Sequence, residues 1–80
     1  MTNLELYNKA FLDVFGITED MLPGLKYQAI DAWDSVGHMG LIAAIEDTFD
    51  IMFDTRDIIE FSSYERGKEL LAKEEYGIDI

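Results

Sequence analysis

The stretch from Ser35 to Asp50, SVGHMGLIAAIEDTFD, constrains this chain more than any other part of it. His38, Leu41, Ile42, Ile45 and Phe49 recur at the i, i+3, i+4, i+7 and i+11 spacing of one helix face, a complete stripe for burial against a core. Val36, Met39 and Ala43 form a second apolar stripe rotated away from the first. Glu46, Asp47 and Asp50 gather at the far end of the same helix. The first face needs partners from elsewhere in the chain, and the second needs a reason to be apolar.

Those partners come from three other segments. Thr2 followed by Glu5 has the spacing of a capping box, and Leu4, Tyr7, Phe11, Val14 and Phe15 then follow helical periodicity, predicting a first helix over 3–15 stopped by Gly16. Asp54 or Thr55 opens a short third helix at about 55–60, to which Ile58, Ile59 and Phe61 lend apolar side chains. Ser62 and Glu65 repeat the capping-box spacing and predict a fourth helix running through Leu70 and Leu71 toward Tyr76, stopping near Gly77.

Residues 16–34 form a long connection holding Pro23-Gly24, several acidic residues and the isolated apolar Ile17, Leu22, Leu25, Tyr27 and Ile30. Connections of that length in a small domain are functional or disordered, and the scattered apolar residues predict one that packs over the core. A short helical turn is expected near Glu19–Leu22. No segment alternates with period 2. The expectation is therefore one domain over 1–80, all-α, a four-helix bundle with a long loop between helices 1 and 2 and a short helix 3. Its expected core is Leu4, Phe11, Phe15, Leu41, Ile42, Ile45, Phe49, Ile58, Phe61 and Leu70.

Composition narrows the function classes. The chain has no cysteine, which leaves no disulfide framework, no cysteine-based metal site and no thiol nucleophile. Seventeen acidic residues against six basic ones give a net charge of −11, which repels nucleic acid and anionic membranes and favours basic partners. No apolar run approaches the ~20 residues of a membrane span. The start, MTNLELYNK, lacks the basic, apolar and small-residue regions of a signal peptide, so the chain reads as a mature, cytoplasmic monomer.

Catalytic constellations are scarce. His38 is the single histidine and belongs by spacing to the core stripe. Ser35 lies three residues before it, a nucleophile–base separation on a helix, but no oxyanion-stabilising loop accompanies the pair. Asp50, Met52, Asp54 and Arg56 imitate the start of a calcium loop, yet the required glycine is missing and the twelfth position is Phe61. Gly37 and Gly40 follow no strand and make no phosphate-binding fingerprint. Neither an enzyme nor a metal site is expected.

What remains is Asp34-Ser35 at a helix start, on its own an ordinary N-cap. The longer stretch from Asp34 through Ser35, Val36 and the apolar helix to Glu46, Asp47, Phe49 and Ile51 resembles the modification motif of the acyl carrier protein family, Asp-Ser-Leu followed by an apolar helix with an acidic ending. The long loop, the short third helix and the closing helix fall in that family's usual places, so the resemblance covers nearly the whole chain. It implies that Ser35 receives 4′-phosphopantetheine from a phosphopantetheinyl transferase, which supplies the magnesium and the base, and that Asp34 contributes to recognition by that transferase. It also implies a docking face of Val36, Met39, Ala43, Glu46, Asp47 and Asp50 for basic surfaces of a loading ligase and of downstream synthases or transferases. A groove between the second and third helices would shelter a short acyl chain.

Four residues depart from the family pattern. Val36 replaces the usual Leu, Gly37 and Gly40 replace polar residues at a helix cost of about 1 kcal/mol each, and Trp33 precedes the motif. They shift the expectation from a housekeeping fatty-acid carrier toward a carrier in a specialised biosynthetic pathway. An unmodified acidic helical adaptor, and behind it a hydrolase using Ser35 and His38, stay open on the residues alone.

Overall fold

Each helix starts where a short polar side chain can satisfy the orphan N–H groups of a first turn. The computed structural model describes residues 1–80 and contains four α-helices and no strand. α1 (Asn3–Phe15) opens on the expected capping box: Thr2 Oγ1 accepts from the Glu5 N–H at 3.1 Å, and Glu5 Oε1 accepts from the Thr2 N–H at 2.9 Å. The Thr2 backbone N–H, with its hydroxyl, holds the Glu5 carboxyl below its usual range. Gly16 closes the helix in the left-handed region at φ 65°.

α2 (Ser35–Phe49) is capped by Asp34 and ends at Asp50, also left-handed, at φ 53°. A 3-10 turn over Glu19–Met21 lies in the long connection. α3 (Thr55–Glu60) starts at Asp54, whose carboxylate accepts from the Arg56 N–H at 2.9 Å.

α4 (Tyr64–Leu71) departs from expectation at both ends. The cap is Ser63, accepting from the Arg66 N–H, and not Ser62. Tertiary pairing decides between the two serines: Tyr27 N–H donates to the Ser62 carbonyl and Tyr64 N–H to the Leu25 carbonyl, each at 2.9 Å, in an isolated antiparallel bridge between Lys26 and Ser63. Glu65, expected to close a capping box, instead accepts from the Gly24 N–H at 3.1 Å. The loop and the start of α4 therefore fix one another. The helix stops at Leu71, and Tyr76 lies beyond it.

The core is aromatic and draws heavily on the loop. Phe11 sits at 5.0 Å from Tyr7, 5.6 Å from Trp33 and 5.4 Å from Tyr64, all edge to face between ring centroids, the geometry that adds to simple burial. Of the expected core residues, Phe11, Phe15, Leu41, Ile42, Ile45, Phe61 and Leu70 are buried. Leu4 is not: it is 40% exposed, because α1 turns Tyr7, Ala10 and Phe11 inward instead. Phe49 and Ile58 are half-buried at the edge of the cluster. Leu22, Leu25 and Trp33 from the loop, with Tyr7, Phe53, Tyr64 and Leu71, complete the interior. Tyr7 keeps its hydroxyl satisfied by donating to the Tyr64 carbonyl at 2.7 Å, and burial pushes its phenol well up. Gly67 faces this pair, with room for no Cβ: one would stand 2.1 Å from the Tyr7 oxygen and 2.3 Å from the Phe61 ring.

One acidic residue is inside. Asp57 is 1% exposed, and its carboxylate accepts from Lys73 Nζ at 2.9 and 3.1 Å and from the Tyr76 hydroxyl at 2.5 Å. The Tyr76 oxygen in turn accepts from the Asp54 N–H at 2.9 Å. These contacts fasten α3 to the segment after α4. The Tyr76 hydroxyl, followed by Lys73, holds the Asp57 carboxyl below its ordinary value. The same hydrogen bond from Lys73 raises the lysine, and burial raises the Tyr76 phenol.

Candidate functional site

Asp34 and Ser35 occupy the junction between the long loop and α2. Asp34 Oδ1 accepts from the Gly37 N–H at 2.8 Å, and its backbone carbonyl accepts from the His38 N–H at 2.8 Å. The N–H groups of Ser35 and Val36 have no backbone partner. Ser35 is exposed, in the first turn, and neither donates nor accepts a side-chain hydrogen bond. The junction thus offers a free hydroxyl beside two free N–H groups at the positive end of a helix.

Gly37 is there because of the loop. A Cβ on it would lie 1.9 Å from the Ala32 carbonyl oxygen, a backbone atom. It lets the chain approach itself closely at this point. Trp33, one residue before Asp34, is fully buried, and its ring lies 5.6 Å from Phe11 and 5.3 Å from Phe15. Asp34 and Ser35 are therefore held from below by a core residue.

His38 is engaged on both sides. Trp33 Nε1–H donates to His38 Nδ1 at 2.9 Å, and the two rings are nearly coplanar, with 14° between planes and 6.2 Å between centroids. Nδ1 being the acceptor, Nε2 carries the proton and donates to the Ile58 carbonyl at 2.8 Å. The imidazole joins the loop to α3 through α2. It is not paired with Ser35, so the nucleophile–base arrangement that the spacing allowed is not formed.

Beside Ser35 opens a cleft of about 390 Å³, lined by Tyr27 of the loop, Ser35, His38 and Met39 of α2, Ile58 and Ile59 of α3, and the following Phe61 and Ser62. Its walls are apolar and largely aromatic or branched. The volume falls at the small end of the range for small-molecule sites.

The outer face of α2 carries the second stripe into solvent. Val36 is 81% exposed, Met39 and Ala43 are also exposed, and Asp47 and Asp50 lie on the same side. Two residues outside the sequence-derived set extend the surface: Met52 and Ile59, exposed at the α3 side. α2 holds no lysine or arginine, while Lys9, Arg66 and Lys73 are paired with carboxylates on α1, α3 and α4. Glu46 behaves differently from its neighbours. It is half-buried, and its Oε2 accepts from the Phe53 N–H at 2.9 Å, so it shapes the turn after α2 before it can present charge.

No group of His, Asp or Glu side chains is arranged to hold a metal ion, and no helix is long and apolar enough to cross a membrane. No protein-family model, curated protein or solved structure matches this chain.

Proposed function

We propose that this chain is a carrier of acyl or aminoacyl groups, held as thioesters on a 4′-phosphopantetheine arm attached to Ser35. The observation that carries the reading is the setting of Ser35: an exposed, unpartnered hydroxyl in the first turn of α2, at the rim of an apolar cleft and at one end of an apolar and acidic face. A residue used as an attachment point needs accessibility and no activation, and Ser35 has accessibility alone.

Loading belongs to a phosphopantetheinyl transferase. Ser35 Oγ attacks the phosphorus of coenzyme A that bears the pantetheine; the Oγ–P bond forms, the P–O bond to adenosine 3′,5′-bisphosphate breaks, and the hydroxyl proton leaves to a base of the transferase. The free N–H groups of Ser35 and Val36, at the positive end of the helix, would hold the phosphodiester and offset its charge. Asp34 contributes like charge, softened because its carboxylate is already held by the Gly37 N–H. Its recognition role toward the transferase is added to this capping role.

The face of Val36, Met39, Ala43, Asp47 and Asp50, with Glu46 at its edge, suits weak, fast and salt-sensitive docking to basic patches on a loading ligase and on the synthase or transferase that takes the cargo. The choice of a specialised pathway over housekeeping fatty-acid synthesis rests on fewer residues than the sequence suggested. Trp33 and Gly37 have structural duties, which leaves Val36 and Gly40, in a helix whose first turn holds no acidic residue.

The test is loading. Incubation with coenzyme A and a broad-specificity phosphopantetheinyl transferase should raise the intact mass by one phosphopantetheine, and Ser35→Ala should abolish the increase. A cognate transferase that likewise leaves the wild-type chain unmodified would refute the proposal and favour an acidic adaptor.

A further inference from the structure

Ser35 and His38 both line the cleft, but at different depths. Ser35, Met39 and Ile59 are exposed and form its rim; His38 and Ile58 are half-buried, and Phe61 is buried beneath. Beyond the Nδ1 edge of His38 lies the fully buried Trp33, hydrogen-bonded to it and nearly coplanar with it. The other ring nitrogen of His38 is tied to the Ile58 carbonyl across the cleft base. The imidazole is thus fixed at both nitrogens, between the cleft, whose lining does not include Trp33, and the core to which Trp33 belongs.

We infer that His38 sets how far an apolar chain tethered at Ser35 can enter this cleft, restricting the protein to short cargo. That the tethered group is an acyl chain rests on the carrier reading; the depth limit itself rests on the cleft geometry. Two features make His38 suited to the task. Its two hydrogen bonds fix the ring in one orientation, whereas an aliphatic side chain would move aside at little cost. Displacing it would also strand the Trp33 N–H and the Ile58 carbonyl in an apolar setting, a penalty that a few added methylenes do not offset. The wall can yield at Ile59 and Met39, which are exposed and face solvent on their other side, but yielding there widens the mouth without deepening the cleft.

The absence of cysteine makes a direct test possible without any transferase. In Ser35→Cys the single thiol is coupled to alkyl methanethiosulfonates from ethyl to decyl, and the thermal midpoint is read against the uncoupled protein. Each methylene that finds the cleft should raise the midpoint by roughly 3–6 °C, from the transfer free energy of one buried methylene and the size of the domain. The gain should end at a short chain. In His38→Ala, and in His38→Asn, which keeps a donor and an acceptor on a shorter side chain, the gain should continue to longer chains. There, and only there, the longer chains should shift the emission of Trp33, the single tryptophan. His38→Gln, which restores length and both hydrogen-bonding functions, should return the limit toward that of the parent. The inference is overturned if the parent gains nothing at any length, or if the limit is the same in the parent and in a folded short-side-chain variant. Because the probe is coupled chemically, neither result depends on whether a transferase accepts Ser35, which the mass measurement decides separately.

Discussion

Gly37 and Gly40 lie one helical turn apart in α2, and the same substitution should have opposite effects at the two. Glycine within a helix is less favourable than alanine by about 1 kcal/mol, so propensity alone predicts a gain from either Gly→Ala change. At Gly40 the added Cβ would meet only Val14 Cγ1, at an ordinary 3.7 Å, and the gain should be kept. At Gly37 it would stand 1.9 Å from the Ala32 oxygen and 3.1 Å from its carbon. Both are backbone atoms of the loop that carries Trp33, whose N–H and carbonyl are bonded to Ile30 and Gln28. Forcing that loop away brings an overpacking penalty of roughly 1–3 kcal/mol. It also disturbs the Asp34 cap, worth about another 0.5–2 kcal/mol. Set against the propensity gain, Gly37→Ala should destabilise by about 0.5–4 kcal/mol. For a domain of this size the midpoint should rise by roughly 4–8 °C in Gly40→Ala and fall in Gly37→Ala. Thermal and urea unfolding followed by far-UV circular dichroism reads both shifts. Parallel increases would show that the Ala32 loop is free to move and does not hold the Ser35 junction in place.

Asp57→Asn should destabilise the fold by about 2 kcal/mol at neutral pH, the scale of hydrogen bonds to a charged group, since Lys73 is left with access to water. The folded carboxyl titrates below its ordinary value, so its contribution is present above the ordinary carboxylate range and lost as pH falls through and below it. The gap between wild type and Asp57→Asn in urea midpoints should therefore narrow below about pH 4, and a gap that stays constant or widens would contradict the assignment. On the outer face, reversing both Asp47 and Asp50 to lysine should slow loading by the transferase about tenfold or more and flatten its dependence on salt. Glu46→Gln should instead lower the unfolding midpoint, because it weakens the cap on Phe53, and leave the salt dependence of loading nearly intact. Equal kinetic effects at all three carboxylates would remove the distinction drawn between them.

The parts of the fold that were legible in the sequence are those fixed by local chemistry. Thr2 with Glu5, Gly16, Asp34 and Asp54 act on N–H groups or dihedrals within a few residues of themselves, and α1, α2 and α3 lie where those signals put them. The start of α4 was ambiguous for a physical reason. Ser62 and Ser63 are both competent caps, and the choice is made by Lys26 and Tyr27, far away in the chain. The scattered apolar residues of the loop predicted that it packs over the core, and Leu22 and Leu25 do, but periodicity says nothing about a loop and so could not single those two out or place Trp33 at the centre of the interior. Nothing in the sequence marks Asp57 for burial, because its partners, Lys73 and Tyr76, come 16 and 19 residues later with no regular spacing to announce them.

The same division runs through the site. The two faces of α2 follow from a single helical register, so Val36, Met39, Ala43, Asp47 and Asp50 could be set opposite Leu41, Ile42 and Ile45 by counting alone. The cleft needs three separate elements to converge. Tyr27, Ile58, Ile59 and Phe61 become its lining only once the loop has docked on α4 and Asp57 has fastened α3. His38 belongs to both descriptions. Its spacing assigned it to the core stripe, and it does lie there, but the stripe could not indicate that this ring has the core on one side and the cleft on the other. A histidine is useful at that boundary because its flat ring lies edge to edge with Trp33 while its two nitrogens tie the loop and α3 to α2. A residue that closes the core and sets the depth of the cleft couples the two, so that substitutions at His38 made to alter cargo length should also be felt in stability, with Trp33 reporting both.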